Sequence, residues 1–291
     1  MKARWVFAAA LGSIVVASGD ADAFCRTTTS PVPADYDPAI RGCWTQGSPI
    51  AWLWDQRVHY ELDAAASRQI SLADATNAAD QAFARWSNVQ CEGGPPSVTA
   101  YDDGPVDASA AAAECDSTPC DPTQPGAYHL IVFRDDGWAY DDLSNTLALT
   151  TVTYGIDTAV LFNAEIEINS HNNTLTTLQP PPPGAFDLQT ILTHEAGHFL
   201  GLAHAPNDTS VMYAYYRNDS RELTADDVAG VCAAYSVQSP AGASTCRLAP
   251  SPSGARPALV LAVLLAIAWA RRRACASSGA RSGRDDRALF I

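Results

Sequence analysis

The chain has 291 residues, 47% of them hydrophobic, which is enough for one packed domain and too apolar for a disordered chain. Its formal charge is −14, and because residues 271–291 carry six arginines against two aspartates, the body at 24–270 stands at −18. That argues against nucleic acid or anionic lipid as a partner of the body, since both need a basic face.

In chain order, residues 1–23 combine a basic start (Lys2, Arg4), an apolar run over 5–17 and the small-x-small pattern Ala21-Asp22-Ala23. This predicts a secretory signal peptide cut after Ala23, with Phe24 as the mature start, and hence an exported protein. The run is too short to span a bilayer comfortably. A buried N-terminal helix would have to tolerate both the basic flank and the cleavage pattern. Export makes disulfides the natural state of Cys25, Cys43, Cys91, Cys115, Cys120 and Cys232, an even set without a CxxC pair. Six cysteines allow fifteen pairings. Proximity suggests Cys25 with Cys43 and Cys115 with Cys120, leaving Cys91 for Cys232. Acidic pairs at Asp102-Asp103, Asp135-Asp136 and Asp141-Asp142 can supply oxygen ligands to calcium (Ca2+), although such pairs are more often solvated loops.

Residues 50–62 alternate and are rich in aromatic and β-branched types, which predicts a strand. Ser71 and Asp74 make a capping-box-like start. Leu72, Ala75, Ala79, Phe83 and Trp86 then recur near helical spacing, predicting an amphipathic helix packed on a sheet. Residues 91–127, rich in Cys, Pro and Gly, are expected to be loops. Further strands are predicted over 129–133, 147–154 and 160–169. The QPPPPG stretch at 179–184 is a stiff connector that can be neither helix nor interior strand.

The next segment, DLQTILTHEAGHFLGLAH, carries three of the six histidines around one glutamate. Asp187 can cap a helix with Leu188, Ile191 and Leu192 on one side. The helical repeat puts His194 and His198 on one face, a turn apart, where both imidazoles can reach one ion. Glu195 sits one position round from His194, beside the ion without needing to bind it. Gly201 lets the chain leave the helix in a left-handed conformation and turn back, so that His204 can supply a third ligand. Three neutral imidazoles leave zinc (Zn2+) its double charge and an open position. A core helix with unmetallated histidines would instead bury several titratable groups without evident partners.

HExxHxxGxxH followed by Met212 in SVMY resembles the metzincin signature with its Met-turn. Within that group the chain is similar to the matrixins, the matrix-metalloproteinase type, over residues 50–235. The likeness rests on AFARWSNV, EIEIN, the Met212-Tyr213 pair and RELTADDVAGVCAAY, whose Thr224 and Asp227 also make a credible capping box. The resemblance implies an α+β zincin (metzincin) fold: a twisted, mostly parallel five-stranded sheet with three helices and an active-site cleft. It implies one catalytic zinc held by His194, His198 and His204, Glu195 as general base, and Met212 as the hydrophobic floor. Ca2+ is an optional addition. The pocket for the side chain after the cut would borrow from Tyr213, Tyr215 and Tyr216. An extended peptide would add antiparallel to the edge strand at 147–153.

Several positions depart from the matrixin pattern. Ala205 replaces the usual Ser or Thr after the third histidine. His59, His129 and His171 show no HxD pair for a structural zinc, so one zinc is expected. There is no PRCGxPD switch, and Ala214 stands where astacin-like and serralysin-like proteins have a tyrosine ligand.

After Tyr235 the composition turns to Ser, Pro, Gly and Ala, a linker over 239–257. A short apolar segment and arginine cluster follow at 258–273, then a tail at 274–291. Cys246, the small-residue spacer, the apolar segment and the arginines resemble the myxobacterial C-terminal sorting tails, with an ordinary stop-transfer anchor as the competing reading.

The expected organisation is therefore signal 1–23, metalloprotease domain 24–238, and C-terminal sorting or anchoring segments. The expected function is a secreted or surface-bound monomeric zinc metalloendopeptidase acting on protein or peptide substrates. Membrane contact would come only through the C-terminal segment or its processing machinery. The alternative is a catalytically silent zincin-fold surface binding or adhesion module, whose mark would be a damaged motif.

Overall fold

The computed structural model describes residues 24–33, 35–53, 57–108, 129–140, 146–218, 220–236 and 286–289. The predicted signal peptide, the Cys115–Cys120 pairing, Asp141-Asp142 and the chain from 237 to 285 lie outside the described residues.

The core is a mixed sheet built from β2 (Arg57–Asp63), β3 (Thr99–Val106), β4 (Leu130–Phe133), β5 (Ala148–Tyr154) and β6 (Leu161–Ile168), in the spatial order β3-β2-β4-β6-β5. The first three pairings are parallel and only β5 runs antiparallel, with Ala148 opposite Ile168. A further strand, β10 (Asp286–Leu289), lies antiparallel along the outer side of β5 with Leu289 opposite Thr151. The expected open edge is thus partly taken by the chain itself. An unpaired strand edge is a template for any extended segment, so the pairing needs no special sequence.

Two of the expected elements change. Of the predicted strand over 50–62, β2 accounts for Arg57–Asp63, while the backbone at 50 and 51 pairs elsewhere: Ile50 N–H donates to Thr27 O (2.9 Å) and Ala51 bridges to Val160. The expected loop region contains β3. As an edge strand β3 alternates in exposure without alternating in hydrophobicity, and it tolerates Gly104 and Pro105 where its register against β2 shifts.

Helix α2 (Leu72–Ser87) follows the predicted spacing and buries Ala75, Ala78, Ala79, Ala82, Phe83 and Trp86. Its N-cap is Ser71, whose hydroxyl accepts from Asp74 N–H (3.2 Å). The small alanine stripe lets α3 (Leu188–Phe199) approach closely, and the two helices join where Trp86 Nε1 donates to Thr193 O (2.8 Å). Tyr60 stacks on Phe83, and Phe83 meets Phe199 edge-on, carrying the core from sheet to helices. A closing helix, α4 (Ala225–Tyr235), has the full capping box predicted at Thr224 and Asp227. A short α1 (Pro38–Arg41), capped by Asp37, brings the helices among the described residues to four. Both pairings expected within these residues form: Cys25–Cys43 and Cys91–Cys232. A small parallel pair, β7 (Thr174–Thr176) with β8 (Ala185–Asp187), flanks the proline connector and feeds α3.

No helix among the described residues is long and apolar enough to cross a membrane.

Candidate metal centre and cleft

Asp187 starts α3. Its carboxylate accepts from Thr190 N–H (3.0 Å) and Thr190 Oγ1 (2.7 Å) and also meets the Arg221 guanidinium, with Nε to Oδ2 at 2.7 Å. The aspartate is fully buried, so the arginine answers a charge that one helix cap alone would leave costly. The sequence supplied the cap but gave no sign of Arg221, which arrives from 34 residues further along the chain.

At the other end of α3 the predicted turn forms. Leu200 is the C-cap and Gly201 adopts φ +82°, where a Cβ would stand 2.8 Å from Ile50 O. The chain then returns through β9 (Leu202–Ala203) to His204. His194 Nδ1 donates to Val211 O (2.7 Å) and His198 Nδ1 to Leu202 O (2.9 Å). Both bonds fix the tautomer and leave Nε2 as a lone pair. Those lone pairs converge: His198 Nε2 lies 3.1 Å, and His204 Nε2 3.2 Å, from His194 Nε2. Neutral imidazoles at that spacing repel unless a cation sits among them. A tetrahedral ion with bonds near 2.0–2.1 Å separates its ligands by about 3.3 Å, so the donor set fits zinc. Burial drives the His198 imidazole well below its ordinary pKa and lowers His204 to about 3, which favours the neutral, ligating form. Among the described residues no other cluster of three or more His, Cys, Asp or Glu side chains could hold a metal ion.

Glu195 lies beside this triad. Burial raises its pKa, opposed by the neighbouring His194 and by the Thr150 hydroxyl. Thr150 Oγ1 donates to Glu195 Oε2 (2.6 Å), a contact from β5 that the sequence did not announce. Met212 is buried against α3; its Sδ comes so near Gly197 that a Cβ there would meet it at 2.2 Å. The turn bearing Met212 is held by Asp227 of α4, which accepts from Val211 N–H (3.0 Å), Met212 N–H (3.3 Å) and the Ser210 hydroxyl. The aspartate predicted only as a cap therefore also anchors the Met-turn.

A cleft of about 600 Å³ opens over these groups, lined by Thr146, Leu147 and Ala148 on one rim and by Tyr213, Tyr215 and Tyr216 on the other. Tyr216 is the fixed member: its hydroxyl accepts from Asp187 N–H (2.7 Å) and its ring packs on Phe186. Tyr215 is largely exposed.

The remaining histidines are engaged singly: His59 with Asp103, His129 with Asn163, and His171 with the Asp135 carbonyl. The acidic pair Asp135-Asp136 is met by Arg68, whose guanidinium donates to Asp136 Oδ1 and to Asp135 O (both 2.6 Å), so an internal cation already occupies part of that oxygen cluster.

A family model described as matrixin matches residues 130–236, which include β4 to β6, α3, the Met-turn and α4. Metalloendoproteinase 1-MMP of Arabidopsis thaliana is 47% identical over 53 residues, covering 18% of this chain and 15% of that protein. Human matrix metalloproteinase-26 is 31% identical over 98 residues, 33% of this chain and 34% of the relative. Rat matrilysin is 50% identical over 44 residues, 14% of this chain and 16% of its own. The chain thus spans about a third or less of the length of these relatives. Matrixins use a catalytic zinc, and the three converging imidazoles, the adjoining glutamate and the turn bearing Met212 all fall within the stretch that is similar to a matrixin domain.

Proposed function

We propose that the chain is an exported zinc endopeptidase that hydrolyses protein or peptide substrates, with residues 24–238 as the functional unit. The observation that carries this reading is the convergence of three imidazole Nε2 atoms beside a buried carboxylate at the base of an open cleft. His194, His198 and His204 would hold the zinc, which when bound polarises a carbonyl and lowers the pKa of a water molecule. Thr150 occupies Glu195 Oε2, so Oε1 is the oxygen left to accept the proton of the attacking water and later return it to the leaving amine. An extended peptide would pair with β5 near its start, where Leu147 and Ala148 line the cleft, upstream of the registers Thr151–Tyr154 taken by β10. The tyrosines opposite would receive the side chain after the cut, with Tyr216 as the rigid wall. The two disulfides suit an exported protein.

The test is cleavage of an unfolded protein substrate by the full chain beside Glu195→Ala at matched zinc occupancy. Wild type is expected to cut, and the variant to keep zinc while losing nearly all turnover. Equal turnover in both would remove Glu195 from the role of base. No cleavage by the zinc-loaded wild type would favour a binding module on the same scaffold.

A further inference from the structure

The segment that enters the fold from Phe24 does more than begin it. Strand β1 (Cys25–Arg26) pairs antiparallel with β9, which lies in the link between the second and third histidines, with Cys25 opposite Ala203 and Arg26 opposite Leu202. The next residue, Thr27, is almost fully buried at 2% exposure. Its N–H donates to Gly201 O (3.0 Å) and its hydroxyl to Leu202 O (3.1 Å). That Leu202 carbonyl is the one that accepts from His198 Nδ1 (2.9 Å). One oxygen therefore takes two donors, one from a ligand imidazole and one from a strand that is remote in sequence, and its two lone pairs are both used.

The strand is in turn held from behind. Ile50 N–H donates to Thr27 O (2.9 Å), Arg26 Nη2 to Ile50 O (2.6 Å), and Cys25 is tied to Cys43. Thr27 thus stands between a fixed frame and the peptide plane that sets both the ring angle of His198 and the path to His204.

We infer that Thr27 is a positioning residue of the metal centre: its hydroxyl orients the Leu202 carbonyl, and through it the His198 ring and the turn that delivers His204. Two effects oppose each other. Sharing the carbonyl between two donors weakens each bond a little, whereas fixing its direction removes rotational freedom from two ligands at once. Orientation dominates, because a metal site depends on ligands held at one geometry.

The inference rests on the zinc reading, and the test separates the two. Zinc dissociation constants of the full chain are measured by competition with a chromophoric chelator, together with the thermal midpoint of the zinc-free protein. The set is wild type, Thr27→Val, Thr27→Ser and Thr28→Val. Thr28 is also buried, but its hydroxyl makes only local contacts, donating to Ser30 O and accepting from Ser30 N–H. Thr27→Val is expected to weaken zinc binding about tenfold, the low end of the cost of losing an outer-shell partner. Thr27→Ser should stay within about twofold of wild type, and Thr28→Val should leave zinc affinity unchanged. Wild-type affinity in Thr27→Val would overturn the inference, as would an equal loss in Thr28→Val, which would mark a general loosening of the strand. If Thr27→Val is unfolded without zinc, Thr27→Ala gives the same comparison with the backbone bonds intact. A wild type that fails to bind zinc would overturn the zinc reading, and this inference with it.

Discussion

Helices α2 and α3 lie against each other and begin alike, each on a side-chain cap, yet they stand in opposite relations to water. Helix α2 buries one face and leaves Asp74 and Gln81 on the other exposed. In α3 every residue from Leu188 to Phe199 except His194 is buried. A polar side chain on α2 is solvated and needs no partner. On α3 each one must be met inside the protein, as Thr190 is by Asp187, Thr193 by Gln189 O and Glu195 by Thr150, with Gln189 Nε2 the exception that lacks a partner. Helix α3 thus derives its shape from its surroundings, whereas its neighbour carries most of its instructions in its own periodicity.

That contrast can be broken most severely at Asp187. Replacing it with Ala removes the α3 cap and strands Arg221, with an expected loss of about 3–5 kcal/mol in urea unfolding. A loss below about 1 kcal/mol would mean that α3 does not depend on its partners in this way. Next comes Gly197→Ala, which puts a methyl into Met212 Sδ and within 2.9 Å of Trp86. Overpacking should cost about 1–3 kcal/mol and, if Met212 supports the histidines, lower zinc affinity as it shifts. An unchanged affinity would separate the floor from the metal. The smallest effect is expected on α2, where Ser71→Ala should cost about 1 kcal/mol and leave zinc affinity and turnover untouched.

The same contrast explains what could be read from the sequence. Helix α2 was legible from spacing because its burial pattern is the pattern of its side chains. Helix α3 is buried nearly all round, so the apolar side at Leu188, Ile191 and Leu192 tells only part of it, and the histidine spacing, Gly201 and Asp187 disclosed the rest. The convergence of His194, His198 and His204 was legible because metal chemistry fixes residue types at fixed intervals along one helix and one turn. Thr150, Arg221 and Thr27 were not, since each comes from a distant part of the chain and is an ordinary residue in its own neighbourhood. Strand β3 was missed for the opposite reason: at an edge, pairing on one side supplies what side-chain alternation normally reveals. The start of β2 was overrun because alternation over 50–53 was real, while the backbone there pairs with Thr27 and Val160.

The Cys91–Cys232 link joins the segment after α2 to the closing helix across 141 residues, a loop that contains His194, His198, His204, Glu195 and Met212. For a protein in the company of proteases, this closure changes what damage looks like. A single cut anywhere between Gly93 and Val231 would produce two pieces that stay one molecule, with both halves of the site still tethered. Such a nicked form would migrate as intact chain until reduced, and only then would it fall apart.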